Sequence, residues 1–174
     1  MCTLLTQNIC LMCHVQTLWL SNNKISDAGL TALAKAVESR ALPQLKELYL
    51  NYNQIGDVGM QALAGAVSKG ALPQLKKLSL DSNKIGDSGL SAFAKVLTPG
   101  PSGKGALPQL KRLNLHYNQI GDVGIQALAG AVSNGALDKL SSLHLNNCLK
   151  FSQQSIDTLK IAMSKTNCSE LEIY

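Results

Sequence analysis

The sequence predicts an α/β fold, a right-handed solenoid or horseshoe with parallel strands on its concave face and helices on its convex face. Three observations predict it. The pair Leu18–Leu20 returns as Leu48–Leu50, Leu78–Leu80, Leu113–Leu115 and Leu143–Leu145, at steps of 30, 30, 35 and 30 residues. Self-similarity at a fixed period of this length marks a stacked repeat. Within each unit a period-2 stretch alternates with a period-3.6 stretch. Finally, 45% of the chain is apolar but only 4% is aromatic, so Leu, Ala, Ile and Val must do the packing. So uniform a core suits units that each solve the same packing problem.

Each unit opens with L-x-x-L-x-L-x-x-N-x-I, as in Leu45, Leu48, Leu50, Asn53 and Ile55. Its Leu-x-Leu centre has the spacing of a short strand with one buried face. A turn follows: YNQIGDVG stands at Tyr52–Gly59 and Tyr117–Gly124, with near-copies at Asn22–Gly29 and Ser82–Gly89. Next, GMQALAGAV (Gly59–Val67) puts Met60, Leu63, Ala64 and Val67 on one helical face. KGALPQ (Lys69–Gln74) then returns the chain to the next strand. Residues 51–72 and 116–137 differ only at 51/116, 60/125 and 69/134. The longer step holds TPGPSGKG (Thr98–Gly105), a loop insertion between otherwise intact units.

Strand–helix–strand crossovers make consecutive strands parallel and the connection right-handed. Strands sit about 4.8 Å apart, whereas helices need about 10 Å. The mismatch curves the stack, with the strands inside.

L-x-x-L-x-L-x-x-N with one helix per unit resembles the leucine-rich repeat, in its ribonuclease-inhibitor-like class. The resemblance covers residues 15–174 and makes residues 1–174 a single domain of five recognisable units plus a partial sixth. It implies the same horseshoe, and carries over only the frame: Leu48, Leu50, Asn53 and their equivalents. Similar repeats occur in ribonuclease inhibitor, in the sensor ends of NOD-like receptors and in Ran GTPase-activating proteins, and the fold does not decide among these functions.

Most of the frame reads as scaffold. Asn23, Asn53, Asn83 and Asn118 stand where leucine-rich repeats form an asparagine ladder, whose amides satisfy backbone groups of the turn. Cys148 fills this position in the fifth unit, and Ile25, Ile55, Ile85 and Ile120 are expected in the core. Asp27, Asp57, Asp87 and Asp122 come just before the helical run, where a carboxylate accepts from free N–H groups and meets the positive helix end. A catalytic carboxylate is needed once, and this Asp appears in four successive units.

Composition narrows the functions. The net charge of +5 comes from lysines scattered singly, without the clustering of a nucleic-acid stripe. Five cysteines (Cys2, Cys10, Cys13, Cys148 and Cys168) form an odd, uneven set, which points to a reducing, cytoplasmic setting. Cys10–Cys13 has the spacing of a redox or zinc pair but no second pair follows, so a packing turn is the plainer reading. The N-terminus lacks the basic segment and unbroken apolar core of a signal peptide, and no stretch reaches transmembrane length. No Walker loop or nucleophile elbow appears. The expectation is a chain with no cofactor, no enzymatic activity, and no nucleic-acid, membrane or small-molecule partner.

Function is therefore expected where the units differ. Residues beside and between the core leucines face the concave side. The first such row is Thr17, Glu47, Lys77, Arg112, Ser142 and Glu170; the second is Trp19, Tyr49, Ser79, Asn114, His144 and Glu172. The third is Ser21, Asn51, Asp81, His116, Asn146 and Tyr174. Tyr, Trp and Arg are frequent interface anchors. Trp19, Glu47, Tyr49, Lys77, Asp81, Arg112, Asn114, His116 and His144 are the expected contacts for a protein partner, with an aromatic end and a charged middle. Tyr52 and Tyr117 edge the same face. The plainer alternative is a row of solvated strand positions. A sharper one gathers Asp81, His116 and His144 as metal ligands or an acid–base set.

Other readings are a GTPase activator resembling the Ran family, though the acidic stretch it needs is not apparent, and a piece of a longer array such as a NOD-like receptor sensor region. Residues 1–14, with Thr3–Met12 as the remnant of a preceding helix, and the helix Ser155–Met163 are expected either as imperfect caps or as the interior of that longer array.

Overall fold

The computed structural model describes residue 12, residues 14–100 and residues 105–173. The expected N-terminal remnant, apart from Met12, lies outside the described residues, as do Cys2, Cys10, Cys13, residues 101–104 of the insertion and Tyr174.

Six strands alternate with five helices: β1 (Thr17–Trp19), α1 (Asp27–Glu38), β2 (Glu47–Tyr49), α2 (Asp57–Ser68), β3 (Lys77–Ser79), α3 (Asp87–Leu97), β4 (Arg112–Asn114), α4 (Asp122–Ser133), β5 (Ser142–His144), α5 (Gln153–Met163) and β6 (Glu170–Glu172). The strands form one parallel sheet in chain order. Leu18, Leu48, Leu78, Leu113, Leu143 and Leu171 are successive Cα partners, one column of leucines beneath the sheet. Met60, Leu63, Ala64 and Val67 pack onto that column from α2 and are buried, as expected. Burying each such leucine contributes about 1.5–3 kcal/mol. The insertion does not disturb the sheet, since Lys77 still pairs with Arg112 across it. α3 ends at Leu97 because Pro99 forces Thr98 into an extended conformation, ψ 126°.

The return turns after α1, α2 and α4 share one device. Gly70 N–H bonds to Val67 O and Ala71 N–H to Ala66 O, with Gly70 at φ +84°. This is the Schellman closure, which needs a left-handed residue just past the helix. Gly135 repeats it at φ +88°, and Arg40 accepts the same conformation at φ +60°.

The asparagine ladder forms as the sequence implies. Asn53 Oδ1 accepts from Asn23 N–H and Ile25 N–H of the preceding unit at 3.0 and 2.9 Å, while its Nδ2 donates to Leu20 O and Leu50 O. Asn83 and Asn118 repeat the pattern. Cys148 keeps one strand of it, its Sγ lying 3.5 Å from Leu115 O.

The aspartates differ from expectation. Each is the first residue of its helix, and it serves the helix of the next unit, not its own. Asp27 Oδ1 accepts from Gly56 N–H at 2.7 Å and Gly59 N–H at 2.9 Å; Asp57 and Asp87 do the same one unit further on. This explains the glycine two positions after Asp57, Asp87 and Asp122; at Gly29 a Cβ would instead meet Ile25 of its own unit. A Cβ on Gly59, Gly89 or Gly124 would stand 2.7, 2.6 or 2.7 Å from the carboxylate of the preceding unit. In the last helix serines replace these glycines. Ser152 N–H still donates to Asp122, while the Ser152 hydroxyl caps α5 by accepting from Ser155 N–H. That backbone bond is the main reason the Asp122 carboxyl titrates below its ordinary value.

Candidate functional site

Because side chains alternate along a strand, the leucine column points down and the neighbouring positions point up into the concave face. Three chemically distinct zones follow one another along it.

On β1 and β2, Trp19 lies flat on Tyr49, ring centroids 3.9 Å apart and planes 2° from parallel. Tyr49 donates its hydroxyl to Glu47 Oε2 at 2.8 Å, and Lys77 Nζ sits 4.7 Å from the centre of the same ring. The parallel register places these groups on successive rungs. Trp19 is nonetheless 67% exposed.

On β3 and β4 the polar groups turn inward. Asp81 is only 4% exposed. It accepts from the Ser79 hydroxyl at 2.6 Å and from Asn114 Nδ2 at 3.1 Å, and lies 3.5 Å from His116 Nε2. Asp81 thus positions Asn114 and His116 from beneath the surface. Lys77 and Arg112 stand above this network as direct cross-strand partners.

On β5 and β6, His144 lies between two carboxylates: Nε2 is 3.5 Å from Glu170 and Nδ1 is 4.0 Å from Glu172. Ser142 Oγ also lies 2.9 Å from Nε2, and Asn146 Nδ2 donates to Glu172 at 3.1 Å. The Glu170 carboxyl titrates below its ordinary value, chiefly through the Ser142 hydrogen bond, with smaller pulls from His144 and Arg112.

The structure therefore places all nine expected contacts on one face but divides them. Asp81 and His116 meet, whereas His144 turns away to the glutamates, its ring centroid 6.5 Å from that of His116. The ligand atoms of His144, Glu170 and Glu172 lie within 4.8 Å of one another, the one set among the described residues with the composition of a metal centre. Ser142, His144 and Glu172 also have the order of an acyl-transfer relay. Ser142, however, is 4% exposed and its amide is already bonded to Lys111 O, so it offers no free N–H to an oxyanion. Sequence reasoning put Ser142, Glu170 and Glu172 in the right rows but not among the contacts. Their significance comes from His144, which only the β5–β6 register brings to them.

A shallow depression of about 280 Å³ joins the second and third zones, lined by Lys77, Arg112, Asn114, Ser142, His144 and Glu170. A larger one, about 530 Å³, lies at the return turns around Gly70, Pro73, Leu107 and Pro108, where none of the varying strand positions borders it. Among the described residues no helix is long and apolar enough to cross a membrane. Cys148 and Cys168 are free thiols, and burial raises the pKa of each.

A stack of short parallel strands and helices, tied together by asparagine and leucine columns, defines a leucine-rich-repeat architecture. Family models agree: one for two copies of leucine-rich repeats matches residues 13–65 and again 43–95, and one for a single leucine-rich repeat matches residues 107–129. The chain belongs to the leucine-rich repeat family. No curated protein matches it in sequence. Among solved structures it is similar to actin-binding site 2 of leiomodin-1, at 18% identity and a TM-score of 0.65 over 88% of this chain and 81% of that one. An internalin, inlF, from Listeria monocytogenes is 20% identical with a TM-score of 0.32, over 91% of this chain and 54% of that one.

Proposed function

We propose that this chain is a non-catalytic interaction module of the ribonuclease-inhibitor-like class, acting in the cytoplasm and binding a protein partner on its concave face. The observation that carries the reading is the Trp19–Tyr49 stack. A tryptophan held flat against a neighbouring ring yet 67% exposed offers a rigid apolar plate to a partner. Covering it would contribute about 3 kcal/mol, from roughly 130 Å² of apolar surface. Burial of the leucines and the two ladders accounts for the repeated residues, which leaves the varying strand positions for recognition. The leiomodin-1 fragment, described as an actin-binding site, puts the same fold to use in a protein contact. At 18% identity the likeness extends to the fold, and actin itself is not carried over.

The test is affinity capture from a cell lysate with the wild-type chain beside a Trp19→Ala, Tyr49→Ala, Arg112→Ala triple variant, both shown folded by circular dichroism. The expected result is a partner retained by the wild type and lost by the variant. Capture of the same proteins by both would move the site off the concave face.

A further inference from the structure

The concave zones carry a polarity that specifies the partner. Lys77 and Arg112 are direct cross-strand partners, and like charges placed opposite each other destabilise a sheet. Among the described residues neither has a carboxylate within 4.0 Å. The nearest acidic residue in the row, Glu47, already accepts from Tyr49. Two adjacent cations held without a close counter-ion over a shallow depression make a site for an anion. Its volume, about 280 Å³, falls below the range of about 300–1,000 Å³ usual for small-molecule pockets and suits a single side chain. Glu47 and Glu170 flank the cations in the same row. A phosphate dianion or a nucleic-acid backbone would bring two or more charges up to those carboxylates, whereas a carboxylate brings one. One zone further on, Glu170 and Glu172 bracket His144 and present two negative charges, which favour a cation.

The zones are evenly spaced. From the β1/β2 stack to the β3/β4 cations, and from these to the β5/β6 carboxylates, is two strand spacings, or about 9.6 Å. A polyproline-II chain rises about 3.1 Å per residue at three residues per turn, so each step takes about three residues and every third side chain faces the floor. Resting on the concave-face reading above, we infer that the partner contributes a polyproline-II segment with an aromatic residue, an acidic residue three positions on and a basic residue three further. The aromatic residue meets Trp19 and Tyr49, the acid enters between Lys77 and Arg112, and the base meets Glu170 and Glu172.

Trp19 is the only tryptophan of the chain, so its emission reports on the site directly. The probes are two end-blocked peptides, Phe-Ser-Ser-Glu-Ser-Ser-Arg and the charge-exchanged Phe-Ser-Ser-Arg-Ser-Ser-Glu. The first is expected to change Trp19 emission at submillimolar concentration and to bind about tenfold tighter than the second. A folded Lys77→Glu, Arg112→Glu double variant is expected to lose that preference or invert it. Equal affinities, an unchanged preference in the double variant, or no response to either peptide up to about 1 mM would overturn the inference. The concave-face reading fails separately, through capture that ignores the triple variant, so the two failures are distinguishable.

Discussion

The strand-to-helix turns and the concave floor are built from the same units, yet they obey opposite rules. In the turns, Asp27, Asp57 and Asp87 each hold two amides of the next unit, at 2.7 to 2.9 Å every time. Every group there has a fixed partner one unit away, so a change in one unit is felt in its neighbour. On the floor the corresponding rows run from Trp19 through Lys77 and Arg112 to Glu170, and successive contacts share no chemistry. Repetition records where every pair of neighbouring units makes the same contact, and variation records where each pair makes its own, as Trp19 with Tyr49 or His144 with Glu170.

The largest break in that comparison is expected from Asn83→Ala. It would strand the Ile55 N–H, bonded to Asn83 Oδ1 at 3.0 Å, and take one of two amide donors from each of the Leu50 and Leu80 carbonyls, which keep Asn53 and Asn118. At about 1–3 kcal/mol for the one buried group left unpaired, with two carbonyl contacts weakened beside it, the loss is expected near 3 kcal/mol. Urea unfolding would show it as a lower midpoint at an unchanged slope.

Gly89→Ala comes next, because its Cβ would stand 2.6 Å from Asp57 Oδ1 and 3.0 Å from Asp57 Cα. Overpacking of this kind costs about 1–3 kcal/mol. Pairing it with Asp57→Ala in a double-mutant cycle should return part of that loss, since the closest contact is with the Asp57 carboxylate, while the Asp57 Cα at 3.0 Å and Met60 Cβ at 3.1 Å remain. Gly65→Ala is the control: nothing lies within 4 Å of its Cβ, and α2 should gain about 0.5–1 kcal/mol.

These cases show what could be read from the chain itself. The leucine column, the asparagine ladder, the helical faces and the concave rows were legible because each depends on spacing within one unit. The aspartate's partner was not, because spacing within a unit cannot tell its own helix from the next one. The trace it left was the glycine at Gly59, Gly89 and Gly124, where a Cβ would meet the carboxylate of the preceding unit. Within the site, the adjacency of Trp19 and Tyr49 followed from neighbouring rungs, whereas the alternative that gathered His144 with Asp81 and His116 did not hold for His144. His144 has carboxylates on the β6 side and another imidazole on the β4 side, and the pairing of its two ring nitrogens with Glu170 and Glu172 settles its direction.

The smallest effect is expected where the floor is most charged. Arg112 is repelled by Lys77 across the rung and attracted by Glu170 further along it. In Arg112→Gln both interactions vanish together, so stability should change by no more than about 0.5 kcal/mol. That small residue should shrink as salt brings the screening length to about 3 Å at 1 M. The carboxyl of Glu170 offers a finer readout by NMR titration. Its folded pKa lies below the unfolded value, so its contribution to stability is present above the unfolded value and lost as pH falls through the folded one. Removing Arg112 should raise that folded pKa slightly. Ser142→Ala should raise it more, because the Ser142 hydrogen bond is the principal cause of the depression. A loss of more than about 1 kcal/mol in Arg112→Gln would place Arg112 with the scaffold and take it out of the partner-binding row.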